Sequence, residues 1–493
     1  MDDSPSMLCK LLRNPIILKD LRTNARSSRF FVFIISFVIA SCIALLIGLR
    51  LLESQVGLKL FATIFAVQSV LIIIAAPAFA GTAIASERRD NTLNLLCVTA
   101  LQPWEIAWGK FAAVMANLLV FALSTLPLVA LCAFYRGLGP MLVACACIYL
   151  LLATATTISF CLMISAMVRS PIEAILISYI ISPVFLAPGL LGAWGAISMN
   201  RFPIELGPVV IAAVAYVSLG SLFYVATVCR LKPPSWNRST ALRIWLVSFE
   251  IVWLACLVPL KIPAQFFLVV ICVIPAVIAA VGFCAEPAEL SEHTHNRLAR
   301  FWERFRGRRQ ATLPKGVSVV EFLPTHLALF VPGKLTAGGF VKTTFITTVS
   351  VGSFLLAIAD DDVPGIAAPF LTLLVLLASY PFVRFCCILS STASLFGRPG
   401  HSRLLTIAIL AGLSILPLVF ALPGMPLMLC GISPIGNIVF RTRAGTLDAF
   451  LMFCVHVGFY LTAARLIKSA ADRREEHLWL YGRRRTDDRV SNS

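Results

Sequence analysis

Charge is scarce in this chain: Asp, Glu, Lys and Arg together make up 13% of its 493 residues. So little polar side chain cannot cover a soluble core of this size. The spacings that carry common chemistry are absent as well. No H-E-x-x-H places two histidines on one helix face, and none of the fifteen cysteines stands in a C-x-x-C pair. Zinc hydrolysis and a thiol redox pair therefore lack their signatures. The six histidines are scattered apart from His293-Thr294-His295. That pair, near Glu289 and Glu292, reads as a solvated loop rather than a metal site, and His456 reads as a packed core residue. A nucleotide P-loop needs G-x-x-x-x-G-K-[ST], so that backbone N–H groups and the lysine hold phosphate. Gly109-Lys110 has Trp104 in place of the first glycine and Phe111 after the lysine, while Gly333-Lys334 has Ala328 and Leu335. Neither is a P-loop, and the sequence presents no catalytic residue, no metal site and no cofactor.

What the chain does have is apolar length. Hydrophobic residues make up 59% of it and its mean hydropathy is +0.90, which defines a polytopic membrane protein. A crossing takes about 20 apolar residues, and about twelve segments reach or approach that length. The expected fold class is all-α, a transmembrane helical bundle. The first apolar run starts near Phe30 and is long enough to span, so it is expected to remain as the first anchor. The cysteines lie mostly in or beside apolar runs, where they act as small hydrophobes.

The formal net charge is +17. In a soluble protein this would suggest nucleic acid, but here it follows from the Lys and Arg of cytoplasmic loops, and no nucleic-acid partner is expected. With both termini inside, seven of the 41 Lys and Arg fall outside (Arg50, Lys59, Arg136, Arg201, Lys261, Arg441, Arg443), Lys110 stands at a boundary and the other thirty-three are inside. That asymmetry favours twelve spans with both ends cytoplasmic, and the expected location is the plasma (inner) membrane.

The chain is organised around Ser86 to Lys110, SERRDNTLNLLCVTALQPWEIAWGK, a polar interruption between two long apolar runs. Glu87-Arg88-Arg89-Asp90-Asn91-Thr92 is too charged for hydrocarbon, yet Leu93, Leu95 and Leu96 follow at once and favour a short amphipathic surface helix. After a break at Thr99 to Gln102, Pro103 suits a first helical position and Glu105 the first turn of the next span. Residues 1–29 are basic, and Asn14-Pro15 marks a helix start before Ile17, Leu18 and Leu21, giving a helix on the inner leaflet in contact with membrane lipids.

These residues resemble a family. Glu87-Arg88-Arg89, Thr92-Leu93, Leu95-Leu96, Pro103-Trp104-Glu105-Ile106 and Gly109-Lys110 are similar to the first cytoplasmic loop of ABC-2 type transporter permeases, with Asn91 where that family usually has Gly before Thr-Leu. The run NPIILKDLRTNARSSR resembles the same family's N-terminal connecting helix, which packs beside the coupling helix. The resemblance covers residues 13 to 230 and implies a six-span permease unit over 30–230. In that unit a coupling loop, 86–106, docks on a separate ABC ATPase subunit, and a second permease copy or homologue completes the pathway. Leu93, Leu95 and Leu96 would then supply the apolar dock, Glu87, Arg88 and Arg89 the polar contacts, and Pro103 to Glu105 the return into span three. Lys110 is expected to snorkel toward the headgroups.

Spans one to six are read at about 30–49, 60–85, 107–134, 141–168, from 172, and 209–228. The fifth, broken at Pro183, Pro188, Gly189, Gly192 and Gly195, is expected to end early. The second half divides into two further spans within 231–284, a basic loop over 285–342, four more spans within 343–467 and a basic cytoplasmic tail, 468–493. In the loop, Leu298, Phe301, Trp302 and Phe305 recur at helical spacing with Arg297, Arg300, Arg304 and Arg308 on another side, the pattern of a membrane-surface or partner-binding helix.

Glu250 and Arg384 lie at matching depths in opposite-running spans and are expected to pair, because an unpaired charge in hydrocarbon costs several kcal/mol. An ion or substrate site is the rival reading of those two residues. Two other functions fit parts of the chain: a secondary transporter, which would use the Pro183 to Gly195 break, and a non-catalytic membrane scaffold.

Overall fold

The computed structural model describes residues 15–51, 56–90, 92, 101–133, 139–168, 170, 171–199, 206–232, 240–257, 259, 274–283, 340, 343–344, 347–348, 351, 380–386, 388–389, 392, 399–415, 427–433 and 446–491. Among these the chain is helical and contains no strand. It divides into two compact units, Met1–Pro233 and Pro234–Ser493.

The first unit contains α1 (Pro15–Ala25), α2 (Ser28–Leu51), α3 (Val56–Ala80), the short α4 (Ala85–Arg89), α5 (Pro103–Ser124), α6 (Leu126–Ala133), α7 (Pro140–Met167), α8 (Pro171–Ile181), α9 (Pro183–Met199) and α10 (Leu206–Leu231). Prolines set several of the starts. Gln102, Gly139 and Ser170 have extended backbones, each followed by a proline at the first helical position, where no N–H is needed and φ is already helical. At the start of α5 the Glu105 carboxylate also accepts the Gln102 N–H at 2.8 Å, half of a capping box.

Among the described residues seven helical segments are long and apolar enough to cross a membrane. Six belong to the first unit: Phe30–Ile47, Gly57–Arg89, Pro103–Ser124, Pro140–Met167, Pro171–Ala193 and Val209–Leu231. This is a multi-pass membrane protein. The fifth segment does not end at its break. Ser182 keeps helical angles (φ −55°, ψ −32°) and its N–H still donates to the Ser178 carbonyl at 2.9 Å, so the helical path runs on into Pro183.

Phe121 of α5 is fully buried and has four rings around it: Phe30, Phe33 and Phe37 of α2 and Phe79 of α3, with centroids 5.3 to 6.1 Å away. Deeper in the bundle Gln68 of α3 donates to the Thr125 hydroxyl at the α5–α6 joint. The α7–α10 seam is built from small residues. Thr154, Thr157 and Ser159 return their hydroxyls to carbonyls four residues back, which hides their polarity. Thr156 in addition donates across to the Tyr216 carbonyl at 3.0 Å, and a Cβ at Gly220 would stand 3.2 Å from its oxygen, so the two backbones approach closely. The outward face of α2 is left for lipid, with Val32 and Leu46 exposed by 64% and 62%.

The α9 helix carries Pro188 inside it, and two tyrosines from neighbouring helices close the backbone around this break. Tyr216 of α10 donates to the Phe185 carbonyl at 2.6 Å, and the Gly189 N–H donates to the Tyr149 hydroxyl of α7 at 2.8 Å. The two hydroxyls lie 3.1 Å apart. A broken helix inside a membrane needs such substitutes, because hydrocarbon provides no partner for freed backbone groups.

The second unit contains α11 (Thr240–Leu257), α12 (Ile274–Phe283), α13 (Pro399–Ile415), a 3-10 turn at Leu427–Ile432 and α14 (Thr446–Ser491). Its core gathers Leu246, Phe340, Phe382, Phe385 and Tyr460, and the Tyr460 hydroxyl donates to the Ile432 carbonyl at 2.8 Å. Among the described residues of this unit one segment, Phe450–Ala470, is long and apolar enough to cross; the sequence places six spans in this half. The spans at 343–359 and 366–390 and the amphipathic Arg297–Arg308 stretch fall largely or wholly outside the described residues. The basic tail from 468 onward continues α14 as helix to Ser491.

Candidate functional site

The polar stretch begins where α3 stops. Gly81 donates to the Pro77 carbonyl at 2.9 Å, the chain turns, and α4 starts at Ala85. A helix start leaves N–H groups without intrahelical partners. Here the buried Ser165 hydroxyl of α7 accepts two of them, from Ile84 at 3.1 Å and Ala85 at 2.9 Å. Arg88 reaches back to the Val168 carbonyl at 3.4 Å. Thus α4 is fixed to the end of α7 by contacts that each join a side chain to a main-chain group, and its side chains are aimed by that anchorage.

Glu87 and Lys110 meet in this arrangement. Lys110 sits two turns into α5, is 5% exposed, and places its Nζ 2.7 Å from Glu87 Oε1 and 2.9 Å from Asp20 Oδ2 of α1. Lys19 Nζ stands 3.7 Å from the same Glu87 oxygen. The expected snorkelling of Lys110 toward the headgroups does not occur. Two carboxylates arrive from other helices, and a charge that finds them is better satisfied inside than extended outward. The second Glu87 oxygen is buried without a hydrogen-bond partner among the described residues.

The remaining residues expected in the site are arranged around this cluster. Arg89 is exposed and bonds its neighbour Asp90 at 3.0 Å. Thr92 donates to the Glu87 carbonyl at 3.1 Å. Pro103 opens α5, the Trp104 indole N–H donates to the Gln102 side chain at 2.9 Å, and the Trp104 carbonyl accepts the Tyr224 hydroxyl of α10 at 3.0 Å. Gly109 is buried beside Lys110. Asn91, Leu93, Leu95 and Leu96 lie outside the described residues.

Four residues of this assembly, Lys19, Asp20, Ser165 and Tyr224, are missed by the sequence reading. Asp20 had a readable signal, being the sole acid of α1. Ser165 and Tyr224 had none, since a lone hydroxyl in an apolar helix usually bonds its own backbone.

The ion pair expected between Glu250 and Arg384 is not among those formed by the described residues. Glu250 is 7% exposed and accepts the Thr348 hydroxyl at 2.7 Å. Arg384 is exposed, because Phe382, Val383, Phe385 and Cys386 take the buried face of its segment. Matching depth brings two charges level, but the helical face decides whether they meet.

Chemically, the first-unit cluster is a clamp. One cation holds α1, α4 and α5 together through two carboxylates. Among the described residues no three His, Cys, Asp or Glu side chains gather to hold a metal. Comparison with known proteins found no matching family model, no matching curated protein and no matching solved structure.

Proposed function

We propose that the chain is the membrane-spanning permease subunit of an ATP-driven ABC-2 type transporter, an exporter, driven by a separate ABC ATPase that docks on residues 86–106. The observation that carries this reading is the Lys110 clamp. A push on the loop at Glu87 is delivered through one buried cation to both α1 and α5, the mechanical property a coupling loop requires. The Glu87-Arg88-Arg89 to Gly109-Lys110 pattern supports it from the sequence side. In this picture Leu93, Leu95 and Leu96 form the apolar dock, no residue of the chain is catalytic, and hydrolysis belongs to the partner. A second permease copy or a homologous permease completes the pathway, and both termini face the cytoplasm at the plasma membrane.

The test is an affinity purification from mild detergent in the native host, wild type beside Leu95→Asp/Leu96→Asp. The reading expects an ABC ATPase to accompany the wild type and to be lost from the still-folded variant. If no ATPase accompanies the wild type, the reading fails. A secondary transporter built around the Pro188 break then takes its place.

A further inference from the structure

A cavity of about 340 Å³ lies inside the first unit, between α3, α7, α9 and α10. Its wall is made by Phe61 and Phe65 of α3, Leu142 of α7, Gly192 of α9 and Ala213 of α10, together with Tyr149 and Tyr216. Both hydroxyls are already spent on each other and on the α9 backbone. The wall therefore presents carbon, and the chemistry it accepts is apolar. An apolar cavity of about 150 Å³ stays dry and takes up benzene, and ligand sites begin at about 300 Å³. This one is large enough for a bulkier hydrocarbon.

The place of the cavity tells where such a hydrocarbon comes from. The lining residues belong to four membrane-crossing segments. Ile148, which lines the cavity, is also 55% exposed on the outer surface of α7, and the lining residue Pro188 is exposed on α9. Ile148 and Pro188 thus carry the wall out to the side of the bundle between α7 and α9, while Leu58, Leu142 and Val209 carry it to the first turns of their helices. The cavity also lies in the half of the bundle remote from the Lys110 clamp. Phe65 stands 15 residues before the end of α3, about 22 Å along the helix. Gly189 and Gly192 keep α9 slim beside the cavity, and a Cβ at Gly189 would already stand 2.5 Å from the Tyr149 ring.

We propose that this cavity is a binding site for a lipid acyl chain that enters sideways from the bilayer between α7 and α9. A chain of methylenes matches the apolar wall, needs no hydrogen bond from the spent tyrosines, and is the molecule present at the mouth. The site does not depend on an ATPase partner.

The test uses the full chain reconstituted into phosphatidylcholine vesicles carrying a phosphatidylcholine with a photoactivatable diazirine on one acyl chain. After irradiation, labelled peptides are mapped by mass spectrometry. Ala213→Phe fills the cavity, and Gly192→Leu fills it from a different helix in case the first variant does not fold. Gel filtration and thermal unfolding select folded material. The proposal expects labels on the cavity face of α3, at Phe61 and Phe65, falling at least about fivefold in either filled variant because a bulky side chain removes the room. Labelling of the outward α2 face at Val32 and Leu46 stays unchanged. Three outcomes overturn it: cavity labels no stronger than the background of buried residues such as Phe121, labels unaffected by both filling variants, or a disulfide between two copies at Ile148→Cys that shows the mouth sealed by a second copy.

Discussion

Lys110 Nζ lies 2.7 Å from Glu87 Oε1, so two residues near the ends of the organising polar stretch are joined across 23 positions of sequence. Asp20 ties the same lysine to α1.

Removing the cation should therefore do more than remove a surface charge. Lys110→Met strands two largely buried carboxylates and is expected to cost about 3 kcal/mol, read as a lowered midpoint of thermal unfolding in detergent. The neutral triple Asp20→Asn/Glu87→Gln/Lys110→Met is expected to regain more than half of that loss. A midpoint for Lys110→Met equal to that of the exposed-site control Arg26→Met would show that the cluster holds nothing together.

Ser165→Ala takes away the oxygen that accepts both the Ile84 and Ala85 N–H groups. Two buried donors lose their partner at about 1 to 3 kcal/mol in total, and the α4 amides should exchange with solvent faster than in wild type. Unchanged exchange at residues 84 and 85 would contradict this anchoring role.

In the second unit the partner of Glu250 can be read by substitution. Thr348→Val removes the observed donor and is expected to destabilise by about 1 to 3 kcal/mol. Arg384→Ala, at an exposed position, should stay within about 0.5 kcal/mol of wild type. The reverse order would reinstate the charge pair.

Gly81 sits where α3 gives way to α4, and a Cβ there would lie 2.5 Å from the Pro77 carbonyl and 3.5 Å from the Ile175 backbone. Neither backbone group is free to swing aside. Gly81→Ala is expected to cost about 1 to 3 kcal/mol by the same unfolding assay, and a neutral result would mean that the turn relaxes.

Much of the first unit was legible because its signals are local. Pro15 and Pro103 announce helix starts by their own chemistry, and the six apolar runs announce crossings by length alone. The clamp was legible in part. Glu87 and Lys110 stood out as polar residues at the borders of apolar runs, but their joining depends on how α3, α4 and α5 pack. Asp20 shows the same limit more sharply: it is a single acid in a basic helix, and its role is set by a lysine on a helix two crossings later. The pairing of Glu250 with Arg384 failed for a related reason, since depth follows from residue counting and facing does not. The second half was harder still, because a short apolar run reads alike as a crossing or as a packed core helix.

The Tyr216 hydroxyl on the Phe185 carbonyl and the Gly189 N–H on Tyr149 bind the middle of α9 to two other helices at the one place where its own ladder is interrupted. A proline-broken helix would ordinarily be the soft joint of a bundle. Here the joint is locked, so α9 cannot turn about its axis without carrying α7 and α10 along or releasing both hydroxyls together. The Gly189 amide proton becomes a clock for that release: its lifetime against deuterium measures how often the three helices let go of one another.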